Sequence, residues 1–504
     1  MVSIFDEGPF PPCPAPFNLS SHVLNAGAKT PAKVALAVLS EDGAEEMTYA
    51  QLKGAVLGLA RGLQDRGLPA QSRILLRLGN TIDFPLAYLG ALASGMVPVP
   101  TSSTLTEHEV AGMIEMISPA LLLHDPSVAC PADPRCLDLE ACRRMQRLPP
   151  ADFHMGDPER PGYIVFTSGT SARPRAVLHA HRAIWARQMM FDGWYGLGPD
   201  DRLLHAGEFN WTYTLGTGLM DPWTVGATAL IPEPGTKPQD LPALLAEHQA
   251  TIFAAAPGVY RQLLRAEDMP DLPRLRHGLS AGEKLPERIR RDWNAATGTQ
   301  IFEAYGMSEC STFISGAPAA AAQGEALGRP QIGRKVAIVG PEGPVPRGEQ
   351  GTIAVHRDDP GLMLGYLDDA KATSARMQGD WFCTGDQGEM AADGQITYLG
   401  RDDDIMNAGG FRVSPLEVEA ALHDFPGLTG VGAAEVAAKA DATIIAAFYT
   451  GPAPLDADAL DAYVQSRLAR YKQPRAYIHV PELPLGANGK LLRKKLRDHW
   501  KDTS

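Results

Sequence analysis

The sequence predicts an α/β fold in more than one domain, and three observations carry that prediction. From about residue 48 onward, apolar positions at helical spacing alternate with short apolar runs of strand length, the pattern of a mostly parallel sheet covered by helices. Between about 326 and 400 the texture changes to short strands punctuated by Gly and Pro, which predicts an antiparallel or barrel-like subdomain. The last hundred or so residues resume a compact mixed pattern, enough for a small independent domain. At 504 residues the chain is also too long for a single core.

Each element follows from its residues. Leu52, Val56, Leu59 and Leu63 recur on one helical face, and 74–76 reads as a strand. The uncharged stretch 84–106 is interrupted by Gly95, Pro98 and Pro100, so it predicts a buried helix over 82–94 and a strand over 96–99 rather than a membrane span. Val110, Ile114 and Ile117 mark the next helix, and 121–123 the next strand. Further units follow at 227–231, 241–247, 252–255 and 300–304. A strand over 163–166 precedes a polar loop, and residues 176–186 are expected as the helix that follows it. The segment 335–339, then 352–355 and 395–399, supplies short strands. Beyond the charged residues 401–404, a candidate hinge or a solvated turn, helices are expected near 415–423 and 457–470, with a strand near 443–449.

Composition narrows the function. The net charge of -13 argues against a nucleic-acid partner, whose phosphates would require a basic face. Cys13, Cys130, Cys136, Cys142, Cys310 and Cys383 form no CxxC pair and show no metal-ligand spacing, so reduced thiols in a cytoplasmic protein are expected. Residues 1–20 carry Asp6, Glu7 and several prolines, so no signal peptide is expected.

The polar loop between Phe166 and Val177 carries the first chemistry. Thr167, Ser168, Thr170 and Ser171 can donate hydroxyl hydrogen bonds to phosphate oxygens around Gly169, and Arg173 or Arg175 can neutralise charge. It is not a Walker loop, because the chain's Gly489-Lys490 is followed by Leu491; a surface turn rich in Ser and Thr is the rival reading. Two other segments fall after predicted strands: Ser280-Ala281-Gly282-Glu283 and Tyr305-Gly306-Met307-Ser308-Glu309. An aromatic beside glycine can stack on a base, and a carboxylate one turn later can hold Mg²⁺; loop packing is the alternative. Asp386 follows a glycine turn and can accept ribose hydroxyls, with Arg401 as a donor, or it simply caps local amides. Lys490, on a glycine-flanked tip, can bring positive charge to a reacting phosphate or sit as a surface lysine.

These elements, in this order, resemble the adenylate-forming superfamily of acyl-CoA synthetases, carrier-protein adenylation domains and luciferases. The resemblance covers about 48 to 496 and includes Gly328-Arg329-Pro330, Tyr398 through Ile405, Gly409-Gly410-Phe411-Arg412-Val413, Glu417 and Glu419. It implies a large N-terminal domain, 1–402, of two α/β sheet subdomains plus a small β-barrel-like subdomain. A small mobile α+β C-terminal domain, 403–504, follows and carries the catalytic lysine.

The resemblance also implies roles. Thr167, Ser168, Gly169, Thr170, Ser171 and Arg175 hold the ATP phosphates; Ala281, Gly282 and Glu283 with Tyr305 and Gly306 frame adenine; Ser308 touches the α-phosphate. Glu309 binds Mg²⁺, Asp386 and Arg401 hold ribose, and Lys490 bridges the carboxylate and the α-phosphate. Asp403 is the hinge, and Gly409, Gly410 and Arg412 line the tunnel for the thiol acceptor. The segments 209–216 and 222–228 look like the benzoate-CoA ligase branch, which implies an acyl pocket at Trp211, Tyr213, Ala304 and Thr312. For Trp211 a packed core aromatic is the alternative.

The expected activity is therefore an ATP-dependent acid-CoA ligase acting on an aromatic or small-to-medium aliphatic acid, with Mg²⁺ and coenzyme A. Loading of a separate carrier protein is the alternative. A carboxylic acid, ATP and coenzyme A are the expected partners, without nucleic acid or membrane span, and a homodimer stays open. One departure stands out: the family loop usually continues Thr-Gly-x-Pro-Lys-Gly, where this chain has Ser171-Ala172-Arg173-Pro174-Arg175-Ala176. Arginine keeps the charge, whereas alanine disfavours a positive φ.

Overall fold

The computed structural model describes all residues except 168–173, 267–268, 403, 405, 409–410, 440–441, 469, 487–490 and 504. The described residues divide into two compact units, one of 5–335 with 356–380, the other of 1–4, 336–355 and 381–504.

The larger unit is built on parallel strands, as the alternating pattern predicts. Gln300–Met307, His277–Ala281, Ile252–Ala255, Arg202–His205, Thr228–Pro232 and Val34–Ser40 lie side by side in that order, all parallel. Antiparallel strands flank them: Gly43–Thr48 beside Val34–Ser40, and Ser311–Ser315 beside Gln300–Met307. A second sheet is parallel throughout, in the order Val97–Pro100, Arg73–Arg77, Leu121–His124 and Cys136–Asp138. The two long helices Tyr49–Gln64 and Asp83–Ala93 pack together. Leu52, Val56, Leu59 and Leu63 are fully buried, as their spacing predicts.

The uncharged stretch resolves as expected, with every residue of Asp83–Ala93 buried. Asp83 at its start receives Arg143 at 2.9 Å and Gln146 Nε2 at 2.8 Å, so the buried carboxylate is paired. Among the described residues no helix is long and apolar enough to cross a membrane.

Helix starts follow local chemistry. Thr48 accepts from the Gln51 amide at 3.3 Å while Gln51 Oε1 accepts from the Thr48 amide at 2.8 Å, a reciprocal cap on Tyr49–Gln64. Thr48→Ala is expected to cost about 1 kcal/mol, read as a fall in the urea midpoint at constant slope. An unchanged midpoint contradicts the cap's contribution.

Around the polar loop the chain departs from the sequence-based expectation. Residues 176–186 do not form one helix: Arg175–Ala180 is a strand, antiparallel to Pro161–Thr167, and only Ala183–Ala186 is helical. The Ala/Leu/His composition favours helix locally, but pairing with the preceding strand satisfies the backbone and buries Ala176 and Val177. Gly365–Tyr366 adds to the outer edge of this hairpin. An apolar layer of Ile164 and Ala176 with Leu75, Val97, Val99 and Leu122 seats the hairpin on the second parallel sheet.

The smaller unit contains antiparallel strands, including Lys335–Gly340 with Gln350–His356, and Trp381–Met390 with Ile396–Arg401. Its C-terminal portion is a sheet of Gly430–Lys439, Ala442–Thr450 and Ala476–His479. Helices Pro415–His423, Ala457–Gln465 and Arg493–Thr503 accompany it, the second being shorter than the expected 457–470. Val418, Leu422, Leu460 and Val464 fill one core, and Ala434, Phe448 and Leu496 another. The overall class is mixed α/β, as predicted. All six cysteines are thiols outside any disulfide.

Candidate active site

The hairpin defines how the polar loop is held. Thr167 and Arg175 are register partners at its open end, so the intervening residues leave and return between two paired strands. The loop therefore lies at a hairpin tip, not at the strand-to-helix junction that the sequence suggests. Ser168, Gly169, Thr170 and Ser171, together with Ala172 and Arg173, lie outside the described residues. Ala176, one of the departures from the family pattern, pairs with Phe166 in ordinary strand register, and its φ is not positive. Alanine fits there without strain, with its methyl in the apolar layer. Ala176→Gly is thus expected to lose about 1 kcal/mol of stability with no gain in ATP affinity; tighter ATP binding in calorimetry would contradict this.

The second segment is also a hairpin. The strand expected to end at 304 continues through Met307, with a register irregularity between Tyr305 and Gly306, and returns as Ser311–Ser315. A Cβ on Gly306 would lie 2.2 Å from the Ser311 carbonyl oxygen, so only glycine allows the two strands to approach this closely. Tyr305 packs edge-on against Phe313 at 5.3 Å. Ser308 is exposed at the turn, while Glu309 is buried. Glu309 therefore sits in a strand-to-strand turn rather than a helical turn after Tyr305.

Two residues with no place in the sequence reading hold this turn. His179 donates from Nε2 to the Ser308 carbonyl at 2.7 Å, its ring stacked on Tyr163 at 4.8 Å. Burial lowers its pKa to about 4, so it stays a neutral donor. Tyr366 donates its hydroxyl to Glu309 Oε1 at 2.7 Å, and the Arg175 guanidinium lies over its ring at 5.1 Å. A sequence signal for Tyr366 existed, since Gly365-Tyr366 repeats the glycine-aromatic pairing that marks Tyr305-Gly306.

Ala281 ends its strand in register with Ala304. The turn through Gly282 and Glu283 is held by Glu303, whose buried carboxylate accepts the Leu285 amide at 2.8 Å and Arg290 at 2.5 Å. On the same face as Ala281 and Ala304, Tyr213 packs against Trp194 at 6.2 Å and edge-on to His205 at 4.5 Å and Trp211 at 5.0 Å. Trp211 is half-buried, not a sealed core residue. Thr312 pairs with Gly306, and its hydroxyl contacts Met190 Sδ. The structure thus groups Tyr213, Ala281 and Ala304, with Thr312 one strand away.

In the smaller unit, Asp386 and Arg401 are register partners, with Oδ1 and Nε 3.3 Å apart. Asp386 does not follow a tight turn: Trp381–Met390 is one strand, and Gly385, at φ 79°, bends it locally. Asp403, Gly409, Gly410 and Lys490 lie outside the described residues, as does the Arg412 side chain, whose backbone belongs to the strand Phe411–Val413. Residues on either side of 487–490 are described: Leu485 bridges to Leu491, and Arg493 grips the largely buried Glu419 carboxylate at 2.8 and 2.7 Å. Asp404 adds a contact to Arg493 at 3.7 Å.

A largely parallel α/β sheet with Ala281 and Ala304 at neighbouring strand ends, and a buried carboxylate, Glu309, beside the loop hairpin, place this chain among α/β proteins of the class that the family comparison names. The family model described as "AMP-binding enzyme" matches residues 24–367, and its C-terminal domain matches 417–490; the chain belongs to the AMP-binding enzyme family. Similar proteins include rat acyl-coenzyme A synthetase ACSM2, mitochondrial, 31% identical over 67% of this chain and 62% of that protein. The 3-hydroxybenzoate–CoA ligase of Aromatoleum sp. (strain CIB) is 28% identical over 90% of this chain and 92% of its own. Among solved structures, a benzoate CoA ligase from Burkholderia xenovorans LB400 superposes with a TM-score of 0.83 at 26% identity, covering 95% of this chain and all of the other.

Proposed function

We propose that this chain is an ATP-dependent, AMP-forming acid-CoA ligase. A carboxylate oxygen of the acid attacks the α-phosphorus of ATP and expels pyrophosphate, giving an acyl-adenylate. The thiolate of coenzyme A then attacks the acyl carbon, and AMP leaves with the electron pair of the mixed-anhydride bond. The observation that carries this reading is the full-length likeness to CoA ligases combined with the buried Glu309 turn beside the loop hairpin.

Roles follow the family pattern. The loop from Thr167 to Arg175 grips the β- and γ-phosphates, Ala281 to Glu283 and Tyr305 frame adenine, and Ser308 meets the α-phosphate. Asp386 with Arg401 takes the ribose. A buried carboxylate in a turn is a fitting donor for Mg²⁺, a hard cation that prefers one or two carboxylates plus phosphate oxygens; Glu309 would hold it, and it would neutralise charge on the departing pyrophosphate. Lys490 is carried by a mobile domain that begins at the hinge Asp403, and Gly409, Gly410 and Arg412 line the thiol path.

The acid is an aromatic or compact aliphatic one. The ring cluster of Trp211, Tyr213, Trp194 and His205, with Trp194 and Tyr213 in the same apolar layer as Ala304, supports a flat, short acyl group, in keeping with the hydroxybenzoate and benzoate ligases among the relatives. The protein acts in the cytoplasm.

The decisive experiment is pyrophosphate release over a panel of carboxylic acids, with and without coenzyme A. Acid-dependent pyrophosphate, with AMP turnover that requires coenzyme A, is the expected result. AMP release indifferent to coenzyme A points to carrier-protein loading, and absence of acid-dependent pyrophosphate overturns the assignment.

A further inference from the structure

We propose that Tyr366 is a positioning residue for the metal-binding carboxylate, and that its ring meanwhile holds Arg175 apart from that carboxylate; the inference rests on the assignment of Glu309 and the loop hairpin given above. The geometry is direct. The Tyr366 hydroxyl donates to Glu309 Oε1 at 2.7 Å, and the Arg175 guanidinium carbon lies 5.1 Å from the centroid of the same ring. Tyr366 and Glu309 are both buried, whereas Arg175 is exposed.

Tyr366 is fixed from three directions. Its backbone joins the loop hairpin, pairing with Val177; its amide donates to Thr373 Oγ1 at 2.9 Å; and the Met363 amide, three residues earlier, donates to the Glu309 carbonyl at 2.8 Å. The segment 363–366 thus ties the Glu309 turn to the strand that starts at Arg175.

The choice of tyrosine has an electrostatic logic. An arginine and a glutamate this near one residue would ordinarily pair, and each would then offer less charge to a third group. A phenol hydroxyl orients a carboxylate without neutralising it, and an aromatic face holds a guanidinium without an anion. Among the described residues, Arg175 lies on that ring and Glu309 accepts from that hydroxyl. The arrangement therefore keeps a net positive group for phosphate and a net negative group for a cation side by side.

The test uses the full chain and three variants. Tyr366→Phe removes the hydroxyl and keeps the ring. The Mg²⁺ concentration for half-maximal pyrophosphate release should rise by about 10-fold, the loss expected for one hydrogen bond to a charged group. Calorimetric binding of Mg·ATP should weaken by a similar factor, while ATP binding in EDTA stays within two-fold, roughly the precision of such a comparison. Tyr366→Leu removes the ring face too, so ATP binding in EDTA should also weaken.

Glu309→Gln is the reference. If it shifts the Mg²⁺ dependence and Tyr366→Phe does not, the positioning role of Tyr366 is overturned and the Glu309 assignment stands. If Glu309→Gln leaves the Mg²⁺ dependence and Mg·ATP binding unchanged, both are overturned. A purely structural Tyr366 would lower the melting temperature in Tyr366→Phe without moving either Mg²⁺ readout.

Discussion

Lys490→Ala should slow acyl-adenylate formation by about 10² to 10³, roughly 3 to 4 kcal/mol, the scale of removing one aimed charge donor. Thiolation from a supplied acyl-adenylate should change far less. In the role proposed for it, the lysine would compensate charge only while the carboxylate oxygen and the α-phosphate approach, and that need is gone once the mixed anhydride exists. Loss of a contact made mainly in the transition state lowers kcat and kcat/KM together. Leu485 bridges to Leu491, and Arg493 anchors the following helix on Glu419, which also accepts the Ala433 amide at 2.8 Å. Truncating Lys490 removes none of these contacts, so the variant should fold. Single-turnover measurements of each half-reaction decide the matter: equal losses in both would show that the lysine has no separate role in the first.

The second large effect is on stability in mild acid. His179, His181, His205 and His277 are all buried, and burial lowers their pKa values to about 4, 3, 3 and 4, from 6.5. Each is held as a neutral ring: His179 and His277 donate from Nε2 to the carbonyls of Ser308 and Tyr195, His181 Nδ1 accepts the Leu19 amide at 3.1 Å, and His205 Nδ1 faces the Thr214 hydroxyl at 3.2 Å. Above pH 6.5 neither the folded nor the unfolded chain protonates these rings appreciably, and their contribution is fully present. Below it the unfolded chain takes up protons that the folded chain refuses, so stability falls as pH drops from 6.5 toward 4. Each ring contributes a slope of about 1.4 kcal/mol per pH unit in that window. Acting together, they reach the 5–15 kcal/mol typical of a whole domain within about two pH units. Urea midpoints at pH 7.5, 6.5, 5.5 and 4.5 should therefore be level at first and then drop steeply. A flat profile down to 4.5 would mean that these rings can be solvated without unfolding.

What could be read from the sequence was whatever depends on spacing along the chain. The face of Leu52, Val56, Leu59 and Leu63, the buried uncharged helix, and the parallel strand positions follow from periodicity and appear in the structure. The likeness to adenylate-forming enzymes was also legible, because motifs in fixed order need no contact information. What escaped depends on partners distant in sequence. Residues 175–180 have helical composition, and only pairing with 161–167 makes them a strand. Tyr305 to Glu309 bends back on 311–315 because Gly306 permits a close approach, which no local pattern states. Tyr366 acquires meaning from Glu309, 57 residues away, and His179 from Ser308, 129 residues away. Both are ordinary residues until the fold supplies the partner.

The hairpin that carries the polar loop has an evolutionary corollary. Its strands are locked in register up to Thr167 and Arg175, and their inward side chains belong to the layer shared with the second sheet. Exchange of the loop between those two residues is expected to leave that register and that layer in place. The loop is, in effect, a replaceable cartridge, and Ser171 and Ala172 already differ there from the family pattern. Grafting the family's usual loop between Thr167 and Arg175 would thus separate the history of nucleotide affinity from the history of folding stability.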